Sequence, residues 1–265
     1  MQILLRSVVL RVVRDQSDPC VSVTRDRAMP EAMKITLTIA AVVASVCATF
    51  AASVPVRLLV VTGGHDYPTS FYTLFEQDGL TWDHATSNEE AFTKDLRGRY
   101  DALVLHDGSA TISPDAQTHF RDFVESGGGL VVIHHAIISY QGSDWFRDLV
   151  GGRYLLSPQN GHPPSTYLHD VDMNIRLVTA HPITHGVTLT RIHDETYKGM
   201  WIAPTNTVLL ATDNETSDGP LAWVSAYKSA RVVYIQLGHG SEAHRDPAYR
   251  TLVRNAALWV ARRLE

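Results

Sequence analysis

The chain has 265 residues, of which 45% are hydrophobic and 19% are charged, so it can bury one substantial core. Its glycine, proline and aromatic contents are ordinary for a globular protein, which excludes the disordered and fibrous classes. The formal net charge of -5 and the lack of any basic run argue against nucleic acid as a partner.

The first 55 residues differ in pattern from the rest, and we interpret them as a leader preceding one domain over 56–265. Lys34 is followed by an apolar run with small residues at its end, over 35–53, which is typical of a secretory signal peptide. The sequence therefore predicts a periplasmic or secreted protein. The alternative is that the same run remains as an uncleaved membrane anchor.

The start of the leader and its cysteines support this interpretation. Residues 1–32 show no periodic pattern, which indicates an over-extended gene start with Met33, or alternatively Met29, as the true initiator. Both cysteines of the chain, Cys20 and Cys47, precede the domain. A mature chain without the leader would contain no disulfide and no cysteine nucleophile.

Apolar runs alternate with helical patterns along the domain. The wholly apolar run at 130–133 and the largely apolar runs at 57–62 and 100–105 predict buried strands of a sheet, with a short strand at 81–84. Helical patterns and capping residues predict helices at 71–77, 88–96, 113–126 and 143–150, and from Pro247 onward. This alternation indicates βαβ units with a parallel sheet, and 221–227 with 231–236 predict an added antiparallel hairpin.

Histidines follow the predicted strands at the points where the strands end. They are His65, His106, the pair His134 and His135, and His239. The carboxyl ends of parallel strands lie at one edge of a sheet, where such folds bind ligands, so these side chains should converge. Carboxylates stand in similar predicted loops, at Asp66, Asp107, Asp194 and Glu195.

Imidazoles beside carboxylates can act as general acids and bases or bind a divalent metal. We therefore expect His134 and His239 to be catalytic, assisted by Glu195 or Asp66. If a metal is bound, His65, His134 and His239 are its expected ligands, although no H-E-x-x-H or C-x-x-C spacing is present. The alternative for any single histidine, and especially for His106, His119, His169 and His244, is a hydrogen-bonded structural role.

Five stretches in order resemble the ThuA-like (trehalose-utilisation) family. They are Val61–Asp66, Gly127–His134, His181–Gly186, Asp194–Tyr197 and Arg231–His239. The resemblance covers roughly 56–264 and implies a flavodoxin-like, mostly parallel sheet with helices on both faces, akin to class I glutamine amidotransferases. It places His134 near the nucleophile position of those enzymes and His239 near their catalytic histidine. The missing cysteine argues against glutamine hydrolysis.

The resemblance also implies a role in carbohydrate metabolism, often beside an oxidoreductase that acts on disaccharides or keto-sugars. The expected function is an enzyme that acts on such a sugar by acid/base or metal-assisted chemistry. The alternative is a sugar-binding or scaffold module without chemistry. The candidate substrate-binding residues are His65, His106, Asp107, His135 and Tyr197. The chain departs from the family pattern at His135, where a small residue is expected, and at Lys228–Ala230, which replaces a glycine-rich turn.

Overall fold

The computed structural model of the protein describes residues 54–159 and 161–265. Two predictions, the signal peptide and the over-extended gene start, fall on residues outside these ranges. In the described part of the chain, no helix is both long enough and apolar enough to cross a membrane.

The described chain alternates strands and helices, as the sequence pattern indicates. The strands are β1 (Val56–Gly63), β2 (Leu80–Ala85), β3 (Ala102–Asp107), β4 (Gly129–Ile133), β5 (Gly152–Arg153), β6 (Thr166–Asn174), β7 (Arg176–Leu177), β8 (Arg191–Lys198), β9 (Trp201–Ile202), β10 (Thr207–Ala211), β11 (Pro220–Val224) and β12 (Val232–Ile235). The α-helices are α1 (Asn88–Phe92), α2 (Pro114–Glu125), α3 (Asp144–Val150), α4 (Ser241–Arg245) and α5 (Pro247–Val260). Short 3-10 helices span Thr69–Phe75, His134–Ile138 and Pro182–Thr184.

The main sheet has eight strands in the order β2-β1-β3-β4-β12-β11-β10-β7. Its first five strands are parallel, and the remaining ladders are antiparallel. Counting only the parallel strands along the chain, the order is 2-1-3-4-5, which is the flavodoxin-like order. The structure therefore confirms the predicted flavodoxin-like α/β fold with an antiparallel extension.

Both faces of the sheet are covered, which explains the continuous apolar runs. On β4, Val131 and Ile133 pack into one core while Leu130 and Val132 pack into the other. All four side chains are fully buried. A parallel strand in this position needs apolar residues on both faces, so it shows no alternation.

Three predicted boundaries differ from the structure. The segment predicted as a helix at 71–77 is a 3-10 helix over Thr69–Phe75 that begins after Pro68, without a side-chain cap. Helix α1 ends at Phe92 rather than near 96. Strand β3 continues through His106 and Asp107, because both residues pair with β1 instead of leaving the sheet as a loop.

Two small ribbons lie outside the main sheet. Strands β6 and β8 form an antiparallel pair, and β5 pairs with β9. The β6–β8 ribbon carries Asp194 and Glu195 on a strand, whereas the sequence placed this pair in a loop. Consecutive side chains of a strand point to opposite faces, so the two carboxylates have different partners.

Gly129 begins β4 where the strand passes directly under the end of α5. A β-carbon added there would lie 2.6 Å from the backbone carbonyl of Val260. Backbone atoms at that distance cannot move aside cheaply, so Gly129→Ala is expected to lower the free energy of unfolding by about 1–3 kcal/mol. Urea denaturation measures the change. Gly142→Ala is the matched control, because nothing lies within 4 Å of its added β-carbon; equal stability of the two variants would contradict the packing.

Candidate functional site

A cleft of about 250 Å³ opens where the sequence pattern predicts a site, beside the carboxyl ends of the parallel strands. Its walls come from the segments that follow β1, β4 and β12, and from the β6–β8 ribbon and the loops before it. The lining residues are His65, His135, Ile138, Tyr154, Leu156, Tyr167, His169, Glu195, Tyr197 and His239. Clefts that bind small molecules combine apolar and aromatic walls with a few convergent polar groups in this way.

His134 stands directly after β4 in an uncommon backbone conformation. Its φ is +53°, a left-handed value that non-glycine residues adopt mostly at turns and functional sites. Tyr234 donates a hydrogen bond of 3.2 Å to its backbone carbonyl, and its own Nδ1–H donates 2.7 Å to the carbonyl of Gln236. The ring is buried, and these contacts aim its Nε2 at Glu195.

Glu195 reaches the site because Asp194 ties the β6–β8 ribbon to the loop after β12. The Asp194 carboxylate accepts hydrogen bonds from the backbone amides of Gly238 at 2.7 Å and His239 at 3.0 Å. It also accepts one from the amide of Glu195 at 2.9 Å. Asp194 thus faces the loop, and the neighbouring Glu195 side chain faces the cleft.

His134, Glu195 and His239 meet at the base of the cleft. Glu195 Oε2 lies 2.9 Å from His134 Nε2 and 2.9 Å from His239 Nδ1. The two imidazole nitrogens are 3.1 Å apart. We call this group the His–Glu–His cluster. In the described part of the chain, it is the group of three whose ligand atoms are close enough to share a metal ion.

Contacts within the cluster shift the pKa values of Glu195 and His239 in opposite directions. Burial opposes ionisation of Glu195, but its side-chain contacts with His134 and His239 together lower its pKa to about 2. The hydrogen bond to Glu195 raises the pKa of His239 above its usual value. Glu195 is therefore an anion at neutral pH. The side chain of His239 is 35% exposed, against 6% for Glu195, so a ligand in the cleft meets His239 first.

Tyr197 completes the inner wall beside the cluster. Its hydroxyl lies 3.1 Å from His134 Nε2, and the two rings stack with centroids 5.2 Å apart. Burial raises the pKa of Tyr197 well above its usual value, so the hydroxyl stays protonated and can donate. Tyr197 and Glu195 project from the same face of β8, two residues apart.

His65 and His135 line the cleft side by side. Their rings stack with centroids 4.1 Å apart, and His135 Nε2 lies 3.1 Å from the backbone carbonyl of His106. Burial lowers the pKa of His135 to about 2, so its ring is neutral. His65 is not a member of the His–Glu–His cluster. The three potential ligand atoms that converge in the described residues therefore come from His134, Glu195 and His239, and His65 is not among them.

Four residues assigned to the site from sequence do not line the cleft. His134 is one of them, but its buried ring contacts the lining residues Glu195 and His239, whereas the other three are not members of the cluster. His106 and Asp107 are fully buried in β3, where the His106 ring stacks on Phe71 at 3.9 Å and Tyr140 donates 2.9 Å to the Asp107 carboxylate. Asp66 is exposed, and its backbone carbonyl contacts His65 Nδ1. The structure thus places His106, Asp107 and Asp66 outside the cleft lining, and the substrate-contact and catalytic roles assigned to them from sequence stay predictions. His106 and Asp107 are buried because β3 continues two residues beyond its apolar run.

Sequence reasoning missed the residues that the β6 segment and the preceding loop bring to the cleft. His169 Nδ1 lies 3.8 Å from Glu195 Oε1, and its ring lies 4.6 Å from that of His239. Tyr154 and Tyr167 add aromatic wall. Tyr167 and His169 lie within β6, and Tyr154 follows only the two-residue strand β5, so nothing in their local sequence indicates the cleft.

The buried histidines behind the cleft predict a linkage between stability and pH. Burial holds the pKa of His106 well below its ordinary value, while an unfolded histidine titrates near about 6.5. Below that pH the unfolded state binds more protons than the folded state. The contribution of His106 therefore lowers the free energy of unfolding by up to about 1.4 kcal/mol for each unit by which the pH falls. We expect His106→Gln to reduce the slope of the free energy of unfolding against pH, between pH 6 and 5, by the contribution of about one proton. Urea unfolding at each pH measures this slope. Parallel pH profiles for variant and parent would contradict a buried neutral His106.

The fold and the cleft define a flavodoxin-like α/β protein with a His–Glu–His cluster at the strand ends. The model of the family ThuA, described as trehalose utilisation, matches residues 57–260. The chain belongs to this family, as the five sequence stretches indicated. Comparison with curated protein sequences finds no significant match.

Solved structures share the fold at low sequence identity. A ThuA-like protein from Parabacteroides merdae is 18% identical, with a TM-score of 0.67 over 78% of this chain and 90% of that one. A ThuA-like protein from Bacteroides uniformis is 20% identical, with a TM-score of 0.59 over 79% and 93%. A β-galactosidase from Rahnella sp. R3 is 12% identical, with a TM-score of 0.53 over 86% of this chain but 34% of its own. These likenesses support the fold alone.

Proposed function

We propose that the protein is an enzyme that acts on a disaccharide or keto-sugar, with the His–Glu–His cluster as its reacting centre. The observation that carries the proposal is the convergence of His134, Glu195 and His239 at the base of an open cleft. Residues distant in sequence bring a buried carboxylate and two imidazoles within 3.1 Å of one another. Perturbed titratable groups in a cleft mark functional sites.

The cleft suits a carbohydrate. Its walls offer the rings of Tyr154 and Tyr167, which can pack on the apolar face of a sugar, and Tyr167 is 59% exposed. Imidazoles and the Tyr197 hydroxyl can hydrogen-bond sugar hydroxyls. The cleft is small for a ligand site, so a disaccharide would extend beyond it into solvent. The family description, trehalose utilisation, agrees with this substrate class.

The chemistry supported by the cluster is proton transfer or hydrolysis beside a ketone or glycosidic bond. Such reactions need a group that accepts a proton and a group that stabilises the resulting negative charge. A ketone on a sugar arises by oxidation of a hydroxyl group. An oxidoreductase is therefore the class of partner expected to supply the substrate.

A panel of disaccharides and their 3-keto derivatives, with and without added divalent metal, tests the enzymatic role. We expect at least one keto-sugar to be converted to a product that proton NMR detects. Saturable binding of sugars without conversion of any of them would instead support a binding module. If the protein neither binds nor converts any sugar of the panel, that result would contradict a carbohydrate function.

We also propose export of the protein through cleavage of the segment from Met33. The apolar run that follows Lys34 supports this proposal. N-terminal sequencing of the protein from its native host should find a start between Ser53 and Val56. An intact leader on protein recovered from the cytoplasm would contradict it.

A further inference from the structure

Three potential metal ligands from three separate segments converge on one point. They are Nε2 of His134 after β4, Oε2 of Glu195 on β8, and Nδ1 of His239 after β12, separated by 2.9, 2.9 and 3.1 Å. With metal–ligand bonds of about 2.0–2.2 Å in a tetrahedral arrangement, neighbouring ligand atoms stand about 3.3 Å apart. The cluster is within a few tenths of an ångström of that spacing.

The hydrogen-bonding pattern leaves a lone pair of His134 facing an anion. The Gln236 carbonyl can only accept, so the Nδ1 of His134 carries the proton in that 2.7 Å hydrogen bond. In the neutral ring, Nε2 then holds a lone pair, and it points at the carboxylate oxygen of Glu195 at 2.9 Å. Two acceptors at this distance repel each other unless a cation lies between them.

A metal ion satisfies the geometry better than a single proton does. A proton on His134 Nε2 would bridge that nitrogen and Glu195, but His239 Nδ1 lies almost as close to both atoms. One divalent ion can accept a lone pair from all three atoms at once. The contact of His134 Nδ1–H with a backbone carbonyl is also the usual outer contact of a metal-bound histidine, because it fixes the tautomer that leaves Nε2 to the metal.

We infer that His134, Glu195 and His239 bind a divalent transition-metal ion of the Zn²⁺ class. Two histidines and one carboxylate are a ligand set of zinc hydrolases and of non-haem iron sites, and both keep at least one coordination position open. Here that position faces the cleft, because His239 is the cluster member exposed there. The inference rests on the proposed function for the role of the ion, which would polarise a sugar oxygen as a Lewis acid.

Zn²⁺ binding to the full chain, purified without chelator or immobilised metal, tests the site directly. Competition with a chromophoric chelator should give one tight site per chain. Glu195→Gln and His134→Ala should each raise the Zn²⁺ dissociation constant by at least about 100-fold, beyond the roughly 10–100-fold cost of losing an outer contact. Circular dichroism checks that each variant is folded, and Glu195→Gln keeps the size of the side chain.

His193→Gln is the matched control. His193 forms another histidine–carboxylate contact of the β6–β8 ribbon, with Nδ1 3.3 Å from Asp172 Oδ1, but both of these side chains are exposed and neither belongs to the cluster. The control should bind Zn²⁺ as the parent does. Loss of binding in this variant, or unchanged binding in the two cluster variants, would overturn the assignment.

Cobalt substitution gives a second measurement that does not depend on turnover. Co²⁺ held by two imidazoles and a carboxylate should show visible absorption bands that Glu195→Gln abolishes. Folded protein that binds neither Zn²⁺ nor Co²⁺ yet converts a sugar in chelator would overturn the metal site and leave the proposed enzyme standing. A metal-loaded protein that converts no sugar would keep the metal site and count against the enzyme.

Discussion

Glu195→Gln is expected to lower kcat/KM on the sugar substrate by about 10²–10⁴-fold, the range for loss of a group that acts in proton transfer. Glu195 Oε2 is the one atom that contacts both His134 and His239, each at 2.9 Å. Glutamine keeps the shape but removes the negative charge that both imidazoles contact. Initial rates over a range of substrate concentrations measure the change.

Glu125→Gln is the control for this variant. Glu125 is also held by a cation, with Lys228 Nζ 2.7 Å from its carboxylate, but it ends α2 at the opposite edge of the sheet. Its kcat/KM should equal that of the parent. A Glu195→Gln enzyme with parental kcat/KM would show that the reacting centre lies elsewhere.

Asp194→Ala is expected to have the largest effect on stability. Its buried carboxylate accepts hydrogen bonds from the amides of Gly238 and His239, and alanine would leave both without an acceptor. Each buried donor left unpaired costs about 1–3 kcal/mol, so the free energy of unfolding should fall by about 2–6 kcal/mol. Urea denaturation measures the loss. Activity should fall too, because the loop that carries His239 loses its anchor.

Two further variants distinguish the loss of the hydrogen bonds that Asp194 accepts from the loss of a negative charge in general. Asp194→Asn keeps one acceptor oxygen and should lose less stability than alanine. Asp172→Ala removes an exposed carboxylate from the neighbouring strand, where we expect a change within about 0.5 kcal/mol. Equal stability of Asp194→Ala and Asp172→Ala would contradict the role of Asp194 as an anchor.

The parallel half of the fold could be predicted because its signals are local. The apolar runs of β1 and β4 mark strands buried on both faces, and Ser113 before Pro114 marks the start of α2, where the serine side chain caps the amide of Ala116. The positions of His134 and His239 beyond the ends of buried strands could be predicted by the same logic. These features depend on residues adjacent in sequence.

The remainder of the site depends on contacts between distant segments. Glu195 enters the cleft because β6 pairs with β8 and because Asp194 holds the loop at Gly238, and neither event has a local signal. His169 was missed for the same reason. His106 was misplaced because a polar residue ended the apolar run but not the strand. Its stacking on Phe71 shows that the aromatic core accepts a neutral imidazole.

The most direct measurement compares the parent with His239→Ala on the keto-sugar that the panel identifies. His239 is the exposed member of the cluster and contacts Glu195 at 2.9 Å, so it touches both the cleft and the buried carboxylate. If the His–Glu–His cluster is the reacting centre, the rate of conversion followed by proton NMR falls by about 10²–10⁴-fold while the variant remains folded. Conversion by folded His239→Ala at the parental rate would contradict the account.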